Sequence, residues 1–176
     1  MAERNARASF ARALARRRVP LGFGAALVAV FLARPTWETW AAGFVVAIVG
    51  GAIRVWAAGH LEKSREVTRT GPYRWTRHPL YVGSSLIAIG VIIAARHPLV
   101  TIVTTVYMAS TLTAAIRTEE AFLRAAFGDI YDRYSASAAE PMVRRFSLER
   151  AFRNREYRAA AGLLVGFALL AIKTIA

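Results

Sequence analysis

The chain has 176 residues, of which 56% are hydrophobic, and it carries a formal net charge of +13. Such apolarity together with twenty-four basic residues is typical of an integral membrane protein and not of a soluble basic domain. The lack of cysteine excludes disulfides, thiolate nucleophiles and cysteine metal sites. Because the basic residues flank hydrophobic runs instead of clustering apart from them, we expect no nucleic-acid partner.

The three histidines are too far apart along the chain for a metal site. His60, His78 and His97 are separated by eighteen or more residues, so no pair has the spacing of metal ligands on one helix. We therefore expect no metal. His97 falls in a short turn away from the other polar segments and is interpreted as structural.

The N-terminal residues 1–18 contain six arginines and read either as a targeting peptide or as a basic flank. No small-residue cleavage site follows the next apolar run, which favours a retained flank. Phe10 and Leu14 have amphipathic helical spacing, so we expect the flank to lie on an anionic membrane surface.

Residues 19–116 contain four hydrophobic runs, each interpreted as a transmembrane helix. Their approximate ranges are Val19–Ala33, Glu38–Ala58, Leu80–Ala95 and Leu99–Ile116. Arg54 falls near the end of the second run, where snorkelling toward the head groups is favoured over a buried polar site. Residues 159–175 are a candidate fifth span, in which the small-xxx-small spacing of Gly162 and Gly166 indicates helix packing.

Basic residues are distributed very unevenly about these spans. The N-terminal flank, the connection after the second span and residues 117–158 hold twenty of them, against three on the opposite side. By the positive-inside rule, the N-terminus and these segments face the cytoplasm. The sequence thus predicts an all-α, single-domain, polytopic membrane bundle with about five transmembrane helices.

Residues 117–158 are predicted to form a cytoplasmic helical segment before the last span. Its first part has an apolar-aromatic face at helical spacing, formed by Leu123, Phe127, Ile130, Tyr131 and Tyr134. Ser147 then suits the N-cap of a second, very basic helix.

The most distinctive stretch is Thr70–Gly83, which reads TGPYRWTRHPLYVG and joins the second and third spans. Pro72 and Pro79 disfavour helix before them, Gly71 permits a tight turn, and Pro79 suits the first turn of a helix. An irregular polar segment at the mouth of a span indicates either a functional site or a basic loop at the membrane surface.

Glu119 and Glu120 are adjacent carboxylates in an otherwise basic region at a membrane boundary. Neighbouring residues of a helix point about 100° apart, so one carboxylate is expected to face a site while the other pairs with an arginine. Glu120 precedes Arg124 by four residues, the favourable order for such a pair. Alone, the two glutamates would also suit a salt-bridged helix start.

The ordered patterns GPYxxxRHPxY and EExxLxxxFGxxYxxY resemble those of the isoprenylcysteine carboxyl methyltransferase family and the related phospholipid methyltransferases. The resemblance covers about Glu62–Phe146. It implies an integral membrane methyltransferase that uses S-adenosyl-L-methionine. On the matching positions, Tyr73, His78, Pro79, Tyr81, Glu119 and Glu120 would bind this cofactor.

The same resemblance makes Arg117 a candidate substrate contact, although its offset from the glutamates differs from the family's. Residues 141–146 also depart from the family's usual VPRF-like ending, and a further span follows them. The expected acceptor is lipidic or hydrophobic: a prenylated CaaX protein, an amine-bearing phospholipid, or a small hydrophobic acid or alcohol. Two alternatives are a membrane reductase resembling the NADPH-dependent sterol reductases and a non-catalytic membrane scaffold.

Overall fold

The computed structural model describes residues 21–140 and 142–175, and every regular element in these ranges is helical. The whole predicted N-terminal flank (1–18) and the first two residues of the predicted first span therefore lie outside the described residues. The helices are α1 (Leu21–Leu32), α2 (Trp37–Ala58), α3 (Pro79–Ala95), α4 (Pro98–Phe127), α5 (Asp129–Ser135), α6 (Leu148–Arg153) and α7 (Glu156–Ile175). The predicted helical membrane bundle is confirmed.

Three described helices, α2, α4 and α7, are long and apolar enough to cross a membrane. The other two expected spans appear as shorter apolar helices, α1 and α3, so the count by length and composition is lower than five. At a rise of about 1.5 Å per residue, the 17 residues of α3 extend about 25 Å, slightly less than a bilayer core.

Helices α2 and α3, among the described elements, pack very closely because glycines face each other across the contact. A Cβ placed on Gly50 would lie 2.6 Å from the carbonyl oxygen of Gly83, and one placed on Gly83 would lie 2.6 Å from that of Gly50. Gly43 and Gly90 repeat the arrangement two turns away. Small residues let backbones approach closely, which is a main source of helix association in membranes.

The glycine contact gives a direct prediction for stability. We expect Gly50→Ala to destabilise the detergent-solubilised protein by about 1–3 kcal/mol, since the new methyl group must push the two backbones apart. Gly162→Ala is the matched control, because nothing lies within 4 Å of a Cβ at that position. Thermal unfolding of both variants tests the contact, and equal midpoints would contradict it.

The prediction that Gly162 and Gly166 pack against a neighbouring helix is wrong, since open space surrounds both positions. Helix α7 is instead fixed by larger side chains. The indole nitrogen of Trp40 donates to the carbonyl oxygen of Phe167 at 2.8 Å. At the other end of α7, Lys173 donates to the last-turn carbonyls of α1 at 2.9 and 2.7 Å.

Helix α4 does not end at the predicted boundary after Ile116 but continues without a break to Phe127. Glu119 and Glu120 therefore project from an extension of a candidate span. Gly128 separates α4 from the short α5, and Ser147 caps α6 by accepting a hydrogen bond from the backbone of Arg150. The capping role predicted for Ser147 is confirmed.

Candidate functional site at the end of the bundle

The Thr70–Gly83 stretch has the irregular backbone that its glycine and prolines predict. Gly71 has a left-handed φ of +57°, and a one-turn 3-10 helix over Gly71–Arg74 follows it. A Cβ at Gly71 would lie 2.5 Å from the ring of His60, so glycine is required for both conformation and space. This turn places the side chain of Tyr73 in the interior, with 7% of its surface exposed.

Both glutamates of α4 contact the first turn of α3. The hydroxyl of Tyr81 donates to Glu119 at 2.7 Å, and the Nε2 atom of His78 lies 3.1 Å from Glu120. Pro79 is buried between these two contact residues and begins α3. The two halves of the sequence pattern, some forty residues apart, thus meet at one place.

Glu120 is the more heavily paired of the two carboxylates. Besides His78, the guanidinium groups of Arg77 and Arg124 approach it at 3.4 and 3.6 Å. The helical pair with Arg124 that the sequence favoured is present. Arg77, for which the sequence offered no role, contributes positive charge to the same carboxylate.

Three tyrosines enclose the site from the side of the 3-10 turn and α5. Tyr134 donates its hydroxyl to the backbone carbonyl of Tyr73 at 2.7 Å. Burial raises the pKa of Tyr73, and it raises the pKa of Tyr134 to about 12. Tyr131 is 1% exposed, and the guanidinium of Arg124 lies 5.4 Å from its ring centre. All three are neutral hydroxyl donors at physiological pH.

Two buried polar atoms at this site are poorly paired among the described residues: Nδ1 of His78 has no hydrogen-bond partner, and the hydroxyl of Tyr131 has only the guanidinium of Arg77 near it. Buried polar groups are nearly always paired, so such atoms are what a ligand-binding site would present before its ligand arrives. Arg117, the candidate substrate contact, is exposed and makes no ion pair with the described residues. The structure therefore does not bring Arg117 into the site.

The loop before the site is held by the segment that precedes α7. Arg144 forms a two-point pair with Glu66 at 2.6 and 2.7 Å, and Arg150 reaches Glu62 at 2.8 Å. His60 lies beneath this loop, with its Nδ1 atom 3.1 Å from the Thr70 hydroxyl. These contacts fix the backbone that leads into Gly71.

His60 makes the stability of this region depend on pH. Burial first, and then the positive charges of Arg150, Arg144 and Arg74, lower the pKa of His60 below its usual 6.5. The unfolded chain therefore binds a proton more readily than the folded protein, so stability is lost as the pH falls below about 6.5. We expect the unfolding midpoint to drop between pH 7.5 and pH 5.5.

A His60→Gln variant tests whether His60 causes this pH dependence of stability. Its midpoint should fall less than that of the original protein over the same pH range, because Gln does not titrate. Glu62 does not interfere, since Arg150 holds the pKa of its carboxyl below 4.5. An identical pH response in both proteins would show that another group is responsible.

Arg54 does not snorkel, and that prediction is wrong. Its guanidinium forms a two-point pair with Glu156 at 3.0 and 2.9 Å and also donates to Ser84 and to the carbonyl of Leu80. Side-chain exposures of 20% and 9% show that the pair is largely buried. Sequence reasoning missed Glu156, although an acidic residue at the start of an apolar helix was a usable signal.

An apolar cavity of about 410 Å³ lies beside this ion pair within the bundle. Helices α1, α2, α3, α4 and α7 all contribute to its wall, and Gly162 and Gly166 leave part of the space open. Its polar lining includes Arg54, Ser84, Thr104 and Tyr107. Ser84, which lines the cavity, follows Tyr81 by three residues on α3, about 4.5 Å further along the helix axis.

The described residues contain no group of three or more His, Asp or Glu side chains placed to hold a metal ion. The site consists instead of a carboxylate bonded to a tyrosine, a second carboxylate bonded to a histidine and arginines, and a neighbouring apolar cavity. Fold and site together define an integral membrane protein with a polar site at the end of a helical bundle.

The family model described as phospholipid methyltransferase matches residues 23–130, which is more than half of the chain. The chain belongs to the phospholipid methyltransferase family, a family of enzymes. The matched range includes all of the first sequence pattern, GPYxxxRHPxY, and the second pattern as far as Gly128.

Two curated relatives come from rice, one from Oryza sativa subsp. indica and one from subsp. japonica. Each is named "Probable protein-S-isoprenylcysteine O-methyltransferase" and is 32% identical to this chain over 111 residues. The alignment covers 56% of this chain and 58% of each relative, so the chain matches little more than half of their length. No solved structure matches the chain.

Proposed function

We propose that this protein transfers a methyl group from S-adenosyl-L-methionine to a lipidic acceptor at the cytoplasmic boundary of the membrane. The observation that carries the proposal is the meeting of Glu119 and Glu120 with Tyr81 and His78. Membership of the phospholipid methyltransferase family supports the reaction class.

The residues present fit the cofactor. When bound, S-adenosyl-L-methionine supplies an electrophilic methyl group on a sulfonium. The carboxylate of Glu119 suits its ammonium group or ribose hydroxyls, and the Tyr131 hydroxyl suits one of its acceptor groups. Nδ1 of His78, which is the accepting ring nitrogen when Nε2–H donates to Glu120, suits one of its donor groups. Glu120, already paired with His78 and two arginines, would mainly hold α4 in position.

Methyl transfer is an in-line displacement and requires no covalent enzyme nucleophile. The contribution of the chain is to hold donor and acceptor in line, which can lower a barrier by up to roughly 7–11 kcal/mol. The buried tyrosines around the site would exclude water and so help to keep the methyl donor and the acceptor in line.

The cavity beside Arg54 supports a lipidic acceptor. A hydrophobic chain would occupy the apolar space between the helices, and its polar end would lie toward α3 and the glutamate cluster. The acceptors to compare are a prenylated cysteine carboxylate, in view of the relatives' names, then amine-bearing phospholipids, and small hydrophobic acids or alcohols.

Calorimetry with S-adenosylhomocysteine on the detergent-purified protein tests the cofactor. Binding of this product, without binding of NADPH, is expected. Folded protein that bound NADPH instead would support the sterol-reductase alternative, and protein that bound neither would favour a scaffold. Transfer of tritium from labelled S-adenosyl-L-methionine into the three acceptor classes then identifies the substrate.

The proposed orientation has its own test. Reporter fusions after Arg65 and after Arg145 should both report cytoplasm, because the positive-inside rule places these segments there. A signal from the opposite compartment at either position would move the site to the other side of the membrane.

A further inference from the structure

Residues 142–158, here called the strap, comprise the segment before α6, α6 itself and the start of α7, and they cross the end of the bundle. Their inner side is tied to the loop before the site through Arg144 and Arg150. Asn154 adds two hydrogen bonds of 2.9 Å, to the carbonyl oxygens of Ala58 and Leu61. The strap is therefore firmly attached on one side only.

The outer side of the strap is unusually apolar for a surface that faces away from the protein. Val143, Leu148, Phe152 and Tyr157 are 89%, 60%, 62% and 48% exposed. Leu148 and Phe152 are four residues apart on one face of α6, and the Phe152 ring stacks on that of Tyr157 at 6.1 Å. An exposed apolar patch of this kind marks a membrane or partner contact.

The strap also carries exposed arginines. Arg145, Arg155 and Arg158 are exposed, and none of them makes a salt bridge within the described part of the chain. Arg158 lies over the ring of Tyr157 at 5.9 Å. Aromatic and aliphatic side chains interleaved with arginines are typical of segments that lie in the head-group layer of an anionic membrane.

The position of the strap in the fold agrees with a location in the head-group layer. It contacts the last residue of α2 through Asn154 and continues directly into α7, and both helices are candidate spans. The strap consequently lies where two spans leave the hydrocarbon layer.

We infer that the outer side of the strap binds the anionic phospholipid head groups of the surrounding membrane. The arginines pair with lipid phosphates while the exposed apolar side chains enter the acyl boundary. Arg144 and Arg150 on the inner side of the strap pair with Glu66 and Glu62 of the loop that leads into the candidate site. Lipid binding to the strap therefore also stabilises this loop. This inference is independent of the methyl-transfer proposal.

The test compares full-length protein in phosphatidylcholine nanodiscs with and without phosphatidylglycerol. Anionic lipid should raise the unfolding midpoint and slow hydrogen exchange in residues 59–70. A triple variant, Arg145→Gln, Arg155→Gln and Arg158→Gln, should lose most of this response. The control triple, Arg34→Gln, Arg96→Gln and Arg133→Gln, removes as many exposed charges elsewhere and should keep it.

Equal responses of the two triple variants, or no response of the original protein to phosphatidylglycerol, would overturn the inference. The depth of the strap in the membrane is measured in a second experiment with spin labels. The chain has no cysteine of its own, so each label attaches only at the introduced cysteine. A spin label on Leu148→Cys should be shielded from water-soluble relaxers, whereas one on Ala136→Cys, exposed outside the strap, should not. Equal accessibility of both labels would show that the strap does not enter the membrane.

Discussion

Replacing Glu156 with alanine is expected to destabilise the protein by about 3–5 kcal/mol, because it leaves the guanidinium of Arg54 buried without a counter-charge. This loss of stability is larger than the one expected for Gly50→Ala. Thermal or denaturant unfolding in detergent measures it. Glu149→Ala is the matched control, since that side chain is 89% exposed, and it should leave the midpoint almost unchanged.

The double variant Arg54→Met and Glu156→Met separates charge from packing. Methionine fills similar space without a charge to desolvate, so the double variant should recover most of the stability lost in Glu156→Ala. A double variant as unstable as the single one would indicate that the ion pair holds α7 against α2 in a way that apolar packing cannot replace. A single variant of unchanged stability would contradict the burial of the pair.

The second large effect concerns the different roles expected of Glu119 and Glu120, cofactor binding for the first and stability for the second. Glu119→Gln should weaken S-adenosylhomocysteine binding by roughly ten- to hundredfold, the loss expected for a charge-assisted hydrogen bond. Its unfolding midpoint should hardly change, because the amide oxygen can still accept from Tyr81. Calorimetry and unfolding on the same preparation give both numbers.

Glu120→Gln should show the opposite balance. Glu120 faces His78, Arg77 and Arg124, so its loss leaves these positive groups without their carboxylate and lowers stability more than affinity. Equal large losses of affinity for the two variants would contradict this assignment. If Glu119→Gln lowered stability and left affinity intact, Glu119 would be structural.

Much of the candidate site was predictable because its residues form compact local patterns. Gly71 and Pro72 determine a turn, Pro79 starts α3, and the spacing of Tyr131 and Tyr134 indicates one helical face. Their convergence could be inferred only through the family resemblance, since about forty residues separate the two patterns. Whether they bind the cofactor stays a prediction.

The substrate contact expected of Arg117 stays a prediction, since the structure shows only that this residue lies outside the cluster around Glu119 and Glu120. It lies two residues before Glu119, yet its side chain is exposed, because residues two apart on a helix point to different sides. Arg77 was the converse case, with no role from the sequence and a clear contact with Glu120 in the structure.

The sequence by itself determined where most of the helices lie, the Ser147 cap and the irregular connection, because hydrophobic runs, prolines and glycines act on the backbone within a few residues of themselves. Only the tertiary structure decided which helix faces meet. The Arg54–Glu156 pair joins residues 102 positions apart, and Gly50 and Gly83 matter, whereas Gly162 and Gly166 do not, because of the rotation of each helix about its axis. That rotation is set by the packing of all neighbouring helices together, so no local pattern specifies it.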